Sequence, residues 1–288
     1  MSSQHIYVTP RIVTDIKMCS FYHTMVLPGY GVIEGKWDLR KGVDSYLGGV
    51  DFKGKRVLEL GTASGFLCFE MEKRGADVVG YDIGENQQWD VVPFAQYDYK
   101  AFMKSFREYT DGFKNAFWFS HKLLQSNAKV VYGSIYDIPE EIGLVDVATF
   151  GCILLHLRDP FLALKSALRL VKETVIVTDL ARDQYVTSGT PSVVQRLGHL
   201  VRRCFREGQG PKKNQDSPII ELLPDFRNLE HKAAWWYLSP KIIVNFLGIL
   251  GFENTTVTHH YQEPRYRGNV RQLLYTVVGK RTRDITTA

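Results

Sequence analysis

The sequence has few cysteines, and none of them pairs at metal-binding or redox spacing. Only four occur in 288 residues, and no two stand in a Cys-x-x-Cys pair: Cys19, Cys68, Cys152 and Cys204. Zinc knuckles and redox dithiols both need such a pair, so the sequence predicts neither. Isolated thiols are typical of buried apolar positions and of a reducing compartment. We therefore expect a cytoplasmic protein whose cysteines are structural.

Long apolar runs are also missing. No stretch approaches the roughly twenty apolar residues of a membrane-spanning helix, so we expect no membrane partner. The opening MSSQHIYVTPRIVTD lacks the cationic and apolar regions of a secretion signal. The net charge of +5 is compatible with an anionic substrate but is small for a dedicated nucleic-acid-binding domain. Nothing in the sequence indicates the oligomeric state.

Short β-branched runs alternate with amphipathic stretches over the first two thirds of the chain. The runs are KRVLEL (55–60), DVVGYD (77–82), KVVYGS (129–134), DVATFG (146–151) and TVIVTD (174–179). Residues 66–73 and 160–171, which lie between runs, carry apolar residues at helical spacing. This alternation predicts an α/β fold with a doubly wound, mostly parallel sheet covered by helices on both faces.

The end of the chain has a different pattern. A helix is predicted from Pro240 to Gly248 or Gly251, and TTVTHHY and LLYTVVGK then predict two neighbouring strands. We expect this pair to be antiparallel and to close one edge of the sheet. Two segments lie outside the alternation, the aromatic-rich 84–127 and the Arg-, Lys-, Gly- and Pro-rich 183–234, and we interpret them as insertions that cover the functional site.

The strongest local signal is RVLELGTASGF, a hydrophobic strand that leads into a glycine-containing turn and a helix. Glycine lets the backbone adopt positive φ and approach a ligand closely. The dinucleotide pattern G-x-G-x-x-G would need a third glycine where Phe66 stands, and no G-K-[ST] follows, so pyrophosphate binding is disfavoured. Asp82 ends the second strand, where a carboxylate either binds ribose hydroxyls or forms a cap or turn.

These residues resemble the first motif of class I S-adenosylmethionine-dependent methyltransferases, an acidic residue followed by G-x-G-x-G. In this chain Ala63 replaces the middle glycine. The resemblance implies a Rossmann-like methyltransferase domain at 51–288, with residues 1–50 covering the cofactor site. It implies S-adenosyl-L-methionine as cofactor, with Asp82 on the ribose and Ser134 and Ile135 beside the adenine. The cofactor-binding residues expected from it are Trp37, Glu59, Gly61, Thr62, Ala63, Ser64, Gly65, Asp82, Ile83, Ser134, Ile135 and Gly151.

A closer resemblance is to the tRNA wobble-uridine carboxymethyl transferases and related bacterial methyltransferases. It is carried by FYHTMVLPGYGVIEGKWDLR, the glycine loop, HKLLQSNAKVVYGSIYDIP, FGCILLHLRDP and WWYLSP. It implies that Trp37, with Arg40 or Lys41, holds the cofactor, and the alternative for Trp37 is an ordinary core aromatic. That family has a tyrosine where this chain has Leu155, so ordinary S-adenosylmethionine is expected instead of a carboxylated cofactor.

Methyl transfer to a hydroxyl or a carbon acid needs a base, and histidine is suited to that role near neutral pH. His156 stands just beyond the fourth predicted strand, at the sheet edge where α/β folds place their sites. It is the first candidate for the catalytic base, and structural packing of the strand end is the alternative. His23, in the amino-terminal segment, is a weaker candidate. No metal site is expected.

Two further patterns bear on the acceptor. Aromatic residues could form a hydrophobic acceptor pocket or a helical cap packed on the sheet: Tyr97, Tyr99, Phe102, Phe113, Phe117, Trp118 and Phe119. The basic stretch 196–213 is either an amphipathic helix with a solvated face or a clamp for a phosphate-bearing or RNA acceptor. The favoured hypothesis is a methyltransferase acting on O, N or C of a small biosynthetic molecule. The alternatives are an RNA-modifying methyltransferase and a non-catalytic cofactor-binding protein.

Overall fold

The computed structural model describes residues 6–84, 87, 89–182, 217–265 and 271–284. The strands are β1 Met25–Leu27, β2 Gly31–Ile33, β3 Trp37–Asp38, β4 Arg56–Leu60, β5 Asp77–Asp82, β6 Lys129–Tyr132, β7 Val145–Gly151, β8 Val171–Leu180, β9 Ile220–Leu222, β10 Trp236–Leu238, β11 Asn254–Pro264 and β12 Gln272–Lys280. The helices are α1 Val43–Tyr46, α2 Phe66–Lys73, α3 Tyr99–Leu124, α4 Pro160–Leu168 and α5 Pro240–Ile249. No helix in these ranges is both long and apolar enough to cross a membrane.

The centre of the molecule is an eight-stranded sheet in the order β3-β11-β12-β8-β7-β4-β5-β6. Strands β4 to β8 pair in parallel, as the alternating runs predict. Strand β12 runs antiparallel to β8 and to β11, so the predicted late strands do form the antiparallel pair. The predicted α/β fold class, a mostly parallel Rossmann-like sheet with an antiparallel carboxyl-terminal pair, is confirmed.

The strand that follows α4 starts earlier than the sequence pattern suggests. It begins at Val171, three residues before the predicted Thr174, and its pairing with β7 shifts register between Val145 and Val147. Lys172 and Glu173 are exposed there. Because charged residues at these positions interrupt the hydrophobic alternation, the sequence pattern does not reveal the first residues of the strand.

Alternate residues of the central strands pack on opposite faces of the sheet. Leu58 of β4 belongs to the core under α4 and α5, and its neighbour Val57 belongs to the core that includes α1, α2 and the end of α3. Both side chains are fully buried. Because apolar residues fill both faces of the parallel strands, the sheet is a rigid platform for the loops at its carboxyl edge.

Helices α3 and α4 each begin at an aspartate that accepts a hydrogen bond from the first turn. The Asp98 carboxylate accepts from the Lys100 amide at the start of α3, and Asp159 does the same for Leu162 in α4. Pro160 and Pro240 occupy the first turns of α4 and α5. These caps set the directions in which the helices leave the sheet edge.

Candidate functional site

The sheet has a topological switch point between β4 and β7. From there β5 and β6 extend to one side and β8 to the other, which opens a crevice outside the carboxyl ends of the two central strands. Two adjoining cavities of about 280 Å³ each lie in this crevice. The residues that line both are Gly61, Asp82, Ile83, Trp89, Asp90, Ile153 and His156. A single elongated molecule can therefore contact both cavities.

We name the two cavities by the elements that distinguish them. The β6 cavity is also lined by Gly133, Ser134 and Ile135, which follow β6. The α3 cavity is also lined by one face of α3, comprising Phe106, Tyr109, Thr110, Phe113 and Lys114. Asp82 and Gly61, the first residue of the glycine loop, line both cavities and so form part of their common wall.

The glycine loop between β4 and α2 follows a path that side chains would block. Gly61 has φ of 83°, and an added Cβ would lie 2.8 Å from the Ile153 Cδ1 atom. Gly65 has φ of 90°, and an added Cβ would lie 2.6 Å from atoms of both Phe69 and Phe117. Ala63 also has positive φ, at 47°, although it carries a side chain. The loop thus places backbone, not side chains, against the crevice at Gly61.

Asp82 holds the glycine loop in place. Its Oδ2 atom accepts hydrogen bonds from the Thr62 hydroxyl and the Ala63 amide, both at 3.0 Å, and its Oδ1 atom accepts from the Ile83 amide at 2.7 Å. A carboxylate offers about four acceptor positions, so these three donors leave about one for another donor. Asp82 can therefore accept one further hydroxyl without releasing the loop.

The electrostatics of Asp82 depend on two opposing effects. Burial raises the pKa of this carboxyl, because removing water disfavours the charged form. The three hydrogen bonds and the nearby positive charge of Lys114 oppose that rise. The same lysine lines the α3 cavity, so a cation and a carboxylate face one space.

Glu59 lies behind the loop, outside the walls of both cavities. It is 2% exposed, and its Oε2 atom accepts a hydrogen bond from the Cys68 thiol at 2.7 Å. Burial raises the pKa of Glu59 to about 7, although the Cys68 hydrogen bond opposes the shift. Burial also raises the pKa of Cys68 well above its usual value, so the thiol remains a donor. This hydrogen bond joins β4 to α2, the two elements that the glycine loop connects.

Ser64 fastens the amino-terminal segment to the glycine loop. Its hydroxyl oxygen accepts hydrogen bonds from the Tyr22 amide at 3.1 Å and the His23 amide at 3.4 Å. Tyr22 and His23 then line the α3 cavity. The expected cofactor-binding Ser64 is itself fully buried and lines neither cavity. Its observed contacts instead position the amino-terminal segment, which lines the α3 cavity.

His156 ends a short 3-10 helix, Leu154–His156, directly after β7. Its Nδ1 atom bonds to the carbonyl oxygen of Ala233. A carbonyl only accepts, so Nδ1 carries the hydrogen, and in the neutral ring Nε2 has the free lone pair. Although the residue has exposed surface, the protein atoms crowded around it lower the pKa of His156 below its usual 6.5, against the opposing effect of the Ala233 bond. The neutral form is therefore favoured at pH 7.

His23 has a different environment. It is 8% exposed and packs against the rings of Tyr22 and Phe66 at centroid distances of 4.9 Å and 5.6 Å. Burial lowers the pKa of His23 to about 3, so the ring is neutral over the physiological range. Its Nδ1 atom has no hydrogen-bond partner among the described residues.

The predicted site residues separate into two groups. Those that line one or both cavities are His23, Gly61, Ala63, Asp82, Ile83, Ser134, Ile135, Gly151 and His156. Those that line neither are Trp37, Glu59, Thr62, Ser64 and Gly65. Trp37 is 8% exposed and packs in the core, where β3 pairs with the end of β11. Arg40 makes an ion pair with Asp38 at 2.7 Å. The cofactor contact of Trp37 stays a prediction.

The aromatic prediction for 97–119 identified one wall residue and missed two others. Phe113 lines the α3 cavity, whereas Phe117, Trp118 and Phe119 are buried in the core. Phe106 and Tyr109 line the cavity as well. Their spacing, at i, i+3, i+4, i+7 and i+8 with Thr110, Phe113 and Lys114, is one face of a helix, and that periodicity was available in the sequence.

A second set of missed residues forms a cover on the crevice. The backbone oxygen of Asp90 accepts from the Trp235 indole at 2.6 Å, and the Trp235 amide donates to Leu155 at 2.7 Å. The Asp90 carboxylate accepts from the Tyr136 hydroxyl and, at 2.9 Å, from the Arg158 amide. These bonds tie the segments around 90 and 235 to the turn that carries His156. The predicted basic segment 196–213 lies outside the described residues.

In the ranges that the structure describes, no group of three or more His, Cys, Asp and Glu side chains is arranged to hold a metal ion. The polar groups that converge on the crevice are instead backbone amides, two carboxylates, a lysine and histidines. Such a set can bind a polar molecule, hold it against apolar surface and accept a proton.

Comparison with known families gives one match that covers most of the chain. Residues 38–253 match the sequence profile of a family described as a methyltransferase domain. No curated protein matches the sequence.

Among solved structures, the N-terminal domain of EvdMO1 with SAH bound has 13% identity and a TM-score of 0.48, covering 93% of each chain. Magnesium protoporphyrin IX methyltransferase (ChlM) from Synechocystis PCC 6803, with bound SAH, has 13% identity and a TM-score of 0.47, covering 84% of this chain and 83% of its own. CrArsM, an arsenic(III) S-adenosylmethionine methyltransferase from Chlamydomonas reinhardtii, has 15% identity and a TM-score of 0.40, covering 83% and 66%. Likenesses of this degree carry no information about the substrate.

Proposed function

Because the chain belongs to the methyltransferase domain family, we propose that it transfers the methyl group of S-adenosylmethionine to an oxygen, nitrogen or carbon atom of a small-molecule acceptor. The observation that carries the proposal is the wall shared by the two cavities. There Asp82, which accepts two hydrogen bonds from the glycine loop, and Gly61 of that loop line both cavities. An adenosine on one side and an acceptor on the other would meet at this wall.

The residues present fit the cofactor. Asp82 has about one acceptor position left for a ribose hydroxyl. Gly61 brings bare backbone to the crevice, and Ser134 and Ile135 line the β6 cavity, where the adenine would lie. The Ser134 hydroxyl oxygen already accepts from the Tyr136 amide at 3.3 Å and retains a second lone pair for the adenine amino group.

When bound, S-adenosylmethionine would supply an activated methyl group to the lone pair of the acceptor and would leave as the neutral thioether S-adenosylhomocysteine. The protein's part is to align the groups and exclude water. His156 has a lone pair on Nε2, because Nδ1–H donates to Ala233. We assign it the removal of the acceptor proton, which it would then release to solvent. The lowered pKa of His156 keeps it in the unprotonated form that this step requires.

The cover formed around Asp90 and Trp235 would exclude water. Its bonds to Leu155 and Arg158 attach it to the His156 turn. A shift of this cover would therefore move His156 and the cavity wall together. We expect mutations in it to lower turnover and acceptor affinity at the same time.

The finer resemblance to the tRNA wobble-uridine transferases stays a prediction. Its support in this chain is sequence motifs and the basic segment 196–213, and Leu155 departs from that family's pattern. Leu155 is buried, and its backbone accepts from Trp235. An RNA acceptor and a non-catalytic role are therefore kept as outcomes of the test.

The test has two arms. Calorimetry with S-adenosylmethionine and with S-adenosylhomocysteine measures cofactor binding. Incubation with methyl-labelled cofactor and separate cellular pools of small molecules and RNA then identifies the acceptor pool. We expect binding of both ligands and label in the small-molecule pool. Label in RNA would favour the RNA-modifying alternative, binding without transfer to either pool would favour the non-catalytic one, and no binding would refute the proposal.

A further inference from the structure

The turn that carries His156 leaves the sheet beside the carboxyl end of β8. The first residue of this turn, 152–156, is still attached to that strand, because the Cys152 amide donates to the Thr178 backbone oxygen at 2.8 Å. Asp179, the next residue of β8, is 3% exposed, and its charge acts on the Cys152 thiol. A buried carboxyl that the methyl-transfer scheme does not use therefore lies against the turn.

The Asp179 carboxyl has two backbone donors near it. Its Oδ1 atom accepts a hydrogen bond from the Leu180 amide at 2.7 Å. Burial raises the pKa of Asp179 to about 7, and the amides of Leu180 and Leu155 oppose that rise. Among the described residues, no hydrogen bond of ordinary distance and angle reaches the buried Oδ2 atom. This oxygen keeps an acceptor position open on the side of the carboxyl that Leu180 does not use.

The Leu155 peptide group lies between this carboxyl and the cover on the crevice. Leu155 is 8% exposed, and its backbone oxygen accepts from the Trp235 amide at 2.7 Å. Its own amide donates to no backbone oxygen of the described loops, turns and caps. Because a buried amide is rarely left without an acceptor, the nearby Asp179 carboxyl is the group that fills this need.

The other ionisable side chains around Asp179 cannot balance its charge. Tyr46 of α1, Cys152 of the turn and Tyr275 of β12 all feel that charge. Burial raises the pKa of each of the three above its usual value, so all of them stay neutral at physiological pH. The backbone amides are therefore the groups that stabilise the carboxylate, and it in turn holds them.

This contact is one residue away from the imidazole. His156 follows Leu155 in the chain, and its partner Ala233 stands two residues before Trp235. We propose that Asp179 is a positioning residue for His156, because its carboxyl holds the Leu155 amide and so keeps the imidazole on the Ala233 oxygen. Asp179 lines neither cavity and acts through the turn alone. The inference rests on the proposed function, in which His156 is the base.

The experiment observes the His156 ring directly, in the full chain without cofactor or acceptor. NMR spectra of isotope-labelled histidine rings distinguish the Nδ1–H from the Nε2–H tautomer and follow protonation with pH. The His156 signals are identified by their absence from His156→Gln. In the wild-type protein we expect the Nδ1–H tautomer and a pKa of His156 below 6.5.

Two substitutions of Asp179 separate the hydrogen bond from the packing. Asp179→Leu removes the acceptor and keeps a side chain of similar size, so the turn should loosen. The Nδ1–H tautomer should then lose its dominance, and the pKa of His156 should shift up towards 6.5 as water reaches the ring. Asp179→Asn retains an oxygen that can accept from the Leu155 amide, so it should preserve the wild-type tautomer and pKa.

Asp146→Leu is the matched control. Asp146 also lies on a central strand, and its Oδ2 atom accepts from the Arg56 amide at 2.7 Å, but it stands at the amino end of β7, at the opposite edge of the sheet. Its loss should lower stability and leave the His156 signals unchanged. A change in those signals as large as in Asp179→Leu would overturn the inference, because general loosening would then explain both.

Two results with the Asp179 variants would also overturn it: wild-type His156 signals in folded Asp179→Leu, or signals in Asp179→Asn that change as much as in the leucine variant. If Asp179→Leu does not fold, the wild-type protein decides. Its Leu155 amide proton should shift with pH in step with the side-chain carboxyl carbon of Asp179, and an amide signal that does not follow this titration overturns the inference.

The proposed function is tested separately, by calorimetry with S-adenosylhomocysteine. Because the ring signals are recorded without ligand, the two results are independent. Absence of binding would refute the proposed function and leave the contact between Asp179 and the His156 turn in place, but without a base to position. Binding together with His156 signals that do not respond to Asp179→Leu would refute the positioning role alone.

Discussion

Replacing Glu59 by glutamine should make the protein more stable at alkaline pH and change its stability little at acidic pH. Glu59 is buried beneath the glycine loop, and its pKa is raised from the usual 4.5 to about 7. Between these values the folded protein keeps a proton that the unfolded chain releases. The contribution of Glu59 to stability is therefore lost as the pH rises from about 4.5 through about 7.

The size of the effect follows from the shift. Each pKa unit corresponds to about 1.36 kcal/mol, so a shift of about 2.5 units destabilises the fold by about 3 kcal/mol once Glu59 is fully ionised. At pH 5 most of that penalty has not yet developed. Glu59→Gln should therefore gain about 2–3 kcal/mol relative to wild type between pH 5 and pH 8. The amide oxygen can still accept from the Cys68 thiol, so the local packing is retained.

Urea unfolding at pH 5 and pH 8 measures this difference. Asp179, another buried carboxyl with its pKa raised to about 7, is present in both proteins, so its own pH dependence cancels in the comparison. Glu108→Gln, an exposed acid on α3, is the control and should show no such dependence. Equal changes in unfolding free energy for Glu59→Gln at the two pH values would refute the assignment of a buried, neutral Glu59.

Three further variants test the site itself. Asp82→Ala should weaken S-adenosylhomocysteine binding by on the order of 1–3 kcal/mol in calorimetry, and an unchanged dissociation constant in a folded variant would give Asp82 a purely structural role. Ser64→Ala removes the acceptor for two backbone amides and should lower the unfolding free energy by about 1–2 kcal/mol. The exposed Ser105→Ala should change little. His156→Ala should leave cofactor affinity nearly intact and lower turnover about 10²–10⁴-fold. The wild-type rate should have an acidic limb below pH 6.5 that this variant loses, and a retained limb would contradict the base assignment.

The backbone conformation of the site can be predicted from the sequence, because it depends on residues that are close together in the chain. Gly61 and Gly65 occupy positive φ in positions where a Cβ would collide with neighbouring side chains, so few other residues fit. Asp82 follows from the end of β5, which a hydrophobic run defines. The parallel order of the strands then brings this carboxylate next to the loop. The sequence pattern and the strand topology together are sufficient to predict the glycine loop and its contact with Asp82.

Side-chain contacts between segments that are distant in the chain could not be predicted in this way. Ser64 lies in the predicted loop, yet its hydroxyl bonds to residues 41 and 42 positions earlier in the chain. His156 was placed correctly after β7, but its partner Ala233 is 77 positions away. No local pattern encodes which backbone oxygen approaches a histidine across a fold. The tautomer of His156, on which its use as a base depends, is therefore information that only the folded chain contains.

The aromatic residues of α3 have two different locations, the cavity wall and the core, and their spacing along the helix distinguishes the two sets. Residues 106, 109 and 113 repeat at helical spacing and line the cavity, whereas 117, 118 and 119 are consecutive and lie in the core. Both sets are aromatic, and their positions along the helix distinguish them. Near the boundary between the two sets the glycine loop passes close to α3, since a Cβ added at Gly65 would lie 2.6 Å from atoms of Phe117 and Phe69. The glycine loop, one end of which faces the proposed cofactor, therefore lies against the turn of α3 where the core ends and the proposed acceptor cavity begins.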